Sequence, residues 1–146
     1  DENRGFITYA KLITEKYPNY KQKEYTLILD DKDTIECKPF FVTFANSSQF
    51  GYNTEISPKA SVQDGWLDVA IVSEFSLMEA AGMAIRLFTE NIDEHLHMNT
   101  LRTKDMTLVR ETEGVVHIDG TPTQMGKELH VKIVEEGLKV LVKKRF

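Results

Sequence analysis

The chain has 146 residues, 41% of them hydrophobic and 28% charged, with a formal net charge of −5. That composition suits one soluble globular domain with a single core, and the acidic balance, with no basic stripe, argues against a nucleic-acid partner. Apolar runs fall short of the roughly 20 residues that a membrane-spanning helix needs, and the lone Cys37 permits neither an internal disulfide nor a cysteine metal cluster, so a reducing cytoplasmic setting is expected.

The opening "DENRGFITYAKLI" lacks the basic and apolar regions of a signal peptide. Phe6, Tyr9, Ala10, Ile13 and Tyr17 recur at helical spacing, predicting a helix over about residues 4–17 that Pro18 ends. "EYTLIL" and "TIECKP" flank the polar "DDKD" and read as a hairpin. "FFVTFAN" is a continuous apolar run suited to a central strand. The polar "PKASVQDG" then delivers the chain into "LDVAIV", a further strand.

Leu77, Ala80, Ala81, Ala84, Ile85 and Phe88 repeat at three- and four-residue spacing, which predicts a second helix over about residues 76–91. Ser76 followed by Glu79 forms a capping box at its start. "DMTLVRE" and "GVVHID" are expected to pair around "TEG", and "LHVKIVEEGLKVLVKK" to close the chain as two strands around Glu136-Gly137. About eight strands and two helices without βαβ alternation predict a mainly β fold, a two-sheet antiparallel β-sandwich, as one domain over residues 1–146.

Several places invite a chemical reading. His95 and His97 form an H-x-H that Asp93 or Glu94 could complete as a metal site, but no third ligand is anchored. His117 and His130 fall at outward strand positions. "ANSSQFG" lacks the glycine spacing of a nucleophile elbow, which leaves a Ser-His-Asp hydrolase without a nucleophile turn. Neither a Walker A sequence nor G-x-G-x-x-G occurs, so the 146 residues hold no recognisable phosphate cradle. Asp64-Gly65, entering a strand, and Asp119-Gly120, leaving one, are turn signals by local chemistry. A carboxylate beside inward-pointing carbonyls also suits a hard cation such as Mg²⁺, and the residues themselves leave both readings open.

The order "FANSSQFGYNTEISPKASVQDGWLDVAIV", a helix, "VVHIDG" and paired closing strands resembles the C-terminal domain of diacylglycerol and sphingosine kinases. The matching positions are Asn46, Phe50-Gly51, Pro58, Ala60, Asp64-Gly65, Leu67-Asp68 and Asp119-Gly120, and "RGFITYAKLI" is similar to the helix that precedes the sheets. The resemblance implies the lipid-receiving half of an ATP-dependent kinase of phospholipid metabolism that phosphorylates a lipid hydroxyl. The chain's own N-terminal nucleotide-binding domain would be a partner, and the fragment would be inactive alone. It also implies a structural Mg²⁺ held by the Asp64 carboxylate and the carbonyls of Ser61 and Trp66, and a cytoplasmic protein with peripheral membrane contact. A homodimer is left open, as is a non-catalytic lipid-binding module on the same scaffold.

The sequence departs from that pattern twice. Thr121 stands where the family keeps the glutamate of Asp-Gly-Glu, to which the carboxylate near the attacking oxygen is attributed. A threonine hydroxyl does not titrate near neutral pH, which leaves three readings open: Asp119 or water substitutes, the transfer leans on metal and positioning, or the protein is a poor kinase or a non-kinase. Tyr52 and Asn53 stand where glycines are usual. Phe40, Val42, Phe44, Val69, Ile71, Val116 and Ile118 are the candidates for lining an acyl slot or, more simply, for forming the core.

Overall fold

A computed structural model describes residues 20–51, 54–137 and 139. Strands β1 (Tyr25–Leu29) and β2 (Asp33–Cys37) form the expected hairpin, with Leu27 opposite Ile35. Asp30 and Asp31 both sit in the left-handed region, φ 46° and 56°, which is the backbone of a type I′ turn, and short polar side chains tolerate it. Asp30 Oδ1 also accepts the N–H groups of Lys104 (3.2 Å) and Asp105 (3.1 Å), fastening the turn to a strand more than seventy residues away.

β3 (Phe41–Ala45), the short pair β4 (Gln49–Gly51) and β5 (Thr54–Glu55), and β6 (Leu67–Val72) follow. Helix α1 (Leu77–Phe88) is shorter than the expected 76–91. Ser76 is its N-cap: Glu79 N–H donates to Ser76 Oγ (3.3 Å) and Ser76 N–H donates to Glu79 Oε2 (2.7 Å), so the capping box forms as read. Thr89 closes the helix, and a 3-10 turn over Ile92–Glu94 follows it. Then come β7 (Met98–Thr103), β8 (Asp105–Arg110), β9 (Gly114–Ile118), β10 (Thr121–Met125) and β11 (Glu128–Lys132). The helix expected over residues 4–17 and the second closing strand lie outside the described residues.

The sheets run β11-β8-β1-β2, β3-β6-β7, β9-β10 and β4-β5, every pair antiparallel. β6 explains the layering. All six of its residues are buried. Leu67, Val69 and Ile71 meet Leu27, Met106, Leu108 and Leu129 of the four-stranded sheet to form the sandwich core. On the opposite face Ala70 and Val72 pack against Phe75, Met83 of α1, Ile92 and Met98. A strand covered by a sheet on one side and a helix on the other has no use for polar alternation. Asp68 is the exception.

One expected pairing is corrected. β8 does not pair with β9; it lies between β1 and β11, while β9 pairs with β10. Met106, Leu108 and Arg110 of β8 are buried in alternation, so its place is in the middle of a core sheet. β9 and β10 are mostly exposed and pair with each other, touching the core through Val116 and Met125, and are joined by Asp119 (φ 48°) and Gly120 (φ 82°) in another left-handed turn. Arg110, 9% exposed, closes the base of that hairpin. Its Nε donates to Gly126 O (2.9 Å) and its Nη2 to Gly114 O (2.8 Å) and Met125 O (2.7 Å).

Candidate functional site

The segment before β6 is built from short-range hydrogen bonds, one between backbone groups and two to side chains. Ala60 N–H donates to Ser57 O (2.9 Å), Gln63 N–H to Ser61 Oγ (3.3 Å), and Trp66 N–H to Asp64 Oδ1 (3.1 Å). The last is an Asx turn, and Gly65 at φ 71° supplies the left-handed residue it requires. Ser61 and Asp64 thus head two successive side-chain turns of the same segment, and Trp66 closes the second.

A residue that the sequence reading missed dominates this turn. Arg102 is the cross-strand partner of Asp68 in the β6–β7 ladder. Its Nη2 donates to Asp64 Oδ2, and its Nε lies 3.4 Å from Asp68 Oδ1. The guanidinium carbon sits 5.8 Å from the centre of the Trp66 ring, and Lys104 Nζ, itself 2.8 Å from Glu135 Oε1, lies 5.6 Å from the same ring. The Asp64 carboxyl is held below its ordinary pKa by the Trp66 N–H and then by Arg102. Asp68, only 4% exposed, is pushed the other way by burial, against the pull of Arg102. Asp68 Oδ2 has no hydrogen-bond partner among the described residues.

Both oxygens of Asp64 are thus already bonded, one to a backbone N–H and one to a permanent cation. As arranged, Mg²⁺ would have to displace or share Arg102 at Asp64, so the carboxylate of the expected donor set is matched to the guanidinium and not to the ion.

Beside the turn lies a cleft of about 360 Å³ whose walls include Ser57, Lys59, Asp68, Asp93, Thr100 and Arg102. Lys59 Nζ and Asp93 Oδ2 are 2.7 Å apart there. Asp119 and Thr121 are not in its wall: both are exposed, at the tip of the β9–β10 hairpin, where Thr121 pairs with Ile118.

The H-x-H of His95 and His97 starts in the turn before β7. The two rings are 5.4 Å apart, and His97 Nε2 lies 3.0 Å from Glu79 Oε1 while His97 Nδ1 lies 3.3 Å from Ser73 Oγ. Ser73 N–H also donates to His97 O (2.9 Å). These contacts fasten the β6–α1 loop and the capping box of α1 to the entry of β7. No group of three or more His, Cys, Asp or Glu side chains able to hold a metal occurs among the described residues. His117 and His130 are exposed as expected, the latter 2.6 Å from Asp105 Oδ1.

Of the seven apolar candidates, Val69 and Ile71 are in the sandwich core, and Val42, Phe44 and Val116 pack against it. Phe40 packs on the helix-side cluster, and Ile118 is half exposed. Among the described residues no helix is long and apolar enough to cross a membrane.

A family model, the YegS C-terminal NAD kinase beta sandwich-like domain, matches residues 2–142. The chain belongs to that family. Among solved structures, this family domain superposes on a candidate diacylglycerol kinase from Bacillus anthracis strain Sterne with a TM-score of 0.63 at 16% identity, covering 84% of this chain and 42% of that one. A second structure, of a diacylglycerol kinase from the same strain, gives a TM-score of 0.57 at 15% identity over 83% of this chain and 41% of that one. At such identities the likeness is one of fold. The family domain spans about two fifths of the length of the structures it matches. No curated protein matches it in sequence.

Proposed function

We propose that this chain is the lipid-receiving C-terminal domain of an ATP-dependent kinase acting on a hydroxyl of a diacylglycerol- or sphingosine-like lipid. The family match over residues 2–142 carries the reading. In it, a separate nucleotide-binding domain presents ATP, consistent with a chain whose sequence holds no phosphate cradle. The lipid hydroxyl oxygen attacks the γ-phosphorus in line, the bond from that phosphorus to the bridging oxygen breaks, ADP leaves, and the hydroxyl proton passes to a base or to water.

The fold puts the glutamate position of the family pattern, Thr121, at the exposed tip of a hairpin, with Asp119 two residues away. Both side chains stand exposed to solvent. Transfer in this protein accordingly leans on positioning and on charge supplied at the nucleotide. Incubating the full-length protein with ATP labelled at the γ-phosphate and a panel of diacylglycerols, monoacylglycerols and sphingoid bases tests the reading, and labelled lipid is the expected product. A folded, ATP-binding protein that labels no lipid would instead be a lipid-binding or regulatory member of the family, the reading that Thr121 favours.

A further inference from the structure

We infer that Arg102 is a built-in cation for the acidic turn: its guanidinium, not a divalent ion, neutralises Asp64 and Asp68 and locks the turn to the sandwich. The inference goes beyond the lipid-kinase reading and does not depend on it.

Three observations converge on the same side chain. The β6–β7 register sets Arg102 directly opposite Asp68, so the cation is delivered by the ladder and not by a loop. The planar fork then spans two carboxylates, with Nη2 on Asp64 Oδ2 and Nε 3.4 Å from Asp68 Oδ1, which a single ammonium could not do with the same geometry. Trp66, whose N–H holds the other oxygen of Asp64, presents its ring to the same guanidinium at 5.8 Å.

The competition with a metal ion is uneven. A guanidinium stays charged at any pH of interest and is weakly hydrated. Mg²⁺ must shed tightly held water and find near-octahedral oxygen ligands. To enter here it would have to break the Arg102–Asp64 pair and leave an arginine beside a buried, half-satisfied Asp68. Because Arg102 is covalently part of the neighbouring strand, its effective concentration at the turn does not fall when free ions are removed.

The test compares melting of the full-length, nucleotide-free protein in EDTA and in millimolar MgCl₂. Wild type should melt at the same temperature in both. Arg102→Gln should melt several degrees lower in EDTA, because two carboxylates lose their counter-charge, and MgCl₂ should recover most of the loss. Adding Asp64→Asn to Arg102→Gln should abolish that recovery. A Mg²⁺-dependent rise in wild type that Asp64→Asn lacks would overturn the inference, as would an Arg102→Gln protein that melts like wild type in EDTA. If Arg102→Gln does not fold, Mg²⁺ titrations of wild type and Asp64→Asn decide: the same number of sites in both supports the built-in cation, and one fewer in the variant refutes it. Melting reads no turnover, so failure here is distinct from failure of the kinase reading.

Discussion

Replacing Arg110 by methionine should be among the most damaging single changes outside the apolar core. The side chain is 9% exposed and makes three hydrogen bonds of 2.7–2.9 Å to the carbonyls of Gly114, Met125 and Gly126. Hydrogen bonds involving a charged group contribute roughly 1.5–3 kcal/mol each. Their sum overstates the loss, because removing the guanidinium also removes the several kcal/mol needed to desolvate it, and methionine refills much of the volume. The net destabilisation expected is about 2–4 kcal/mol. At roughly 2–4 °C per kcal/mol for a chain of this size, the melting temperature should fall by about 4–16 °C. Urea unfolding followed at Trp66, the only tryptophan of the chain, gives the midpoint and the slope, and the slope should not change. Arg110→Lys, which keeps charge but loses the fork, should recover less than half of the loss. A shift below about 0.5 kcal/mol in Arg110→Met would mean that water replaces the guanidinium at all three carbonyls, and would refute the clip at the hairpin base.

Three further outcomes follow from the same contacts. Leu27→Ala, at a fully buried position between the sheets, should cost about 2–5 kcal/mol in urea unfolding. The bonds from His97 and from the Ser76 backbone lower the Glu79 carboxyl from an ordinary 4.5 to about 2; a lowered carboxyl stabilises the fold above its unfolded pKa and loses that contribution as acid protonates it, so the advantage of wild type over Glu79→Gln should vanish as pH falls from 4.5 to about 2. Thr121→Glu should raise lipid phosphorylation by about 10–100-fold if the cleft is otherwise competent, since a positioned general base contributes roughly 10²–10⁴-fold and a hairpin tip positions it loosely.

Local chemistry carried much of the fold into the sequence. The capping box at Ser76 and Glu79 and the left-handed turn at Asp119-Gly120 depend on residues within four positions of each other, and each formed as its residues dictate. The register between β6 and β7 is different. β7, "MNTLRT", shows a broken burial pattern and so lacks the apolar alternation that marks a strand. Without β7 there is no ladder to bring Arg102 to Asp68, so the most charged part of the candidate site stayed hidden although Asp64 itself was singled out. The mistaken pairing of β8 with β9 has the same origin: sequence proximity suggested a hairpin, whereas burial of Met106 and Leu108 gave β8 a central place. Arg110 left no sequence signal, because its role exists only once Gly114, Met125 and Gly126 converge on it.

The four-stranded sheet ends on β2 among the described residues, and that outer strand carries exposed acidic side chains. Ile35 and Cys37 turn toward the core, while Asp33, Thr34 and Glu36 are exposed. Two molecules joined in parallel register along β2 would set Asp33 and Glu36 of one beside the same residues of the other, and like charges set opposite each other destabilise such a ladder. Two of the chain's carboxylates thus make β2 a poor template for an identical strand laid in register beside it.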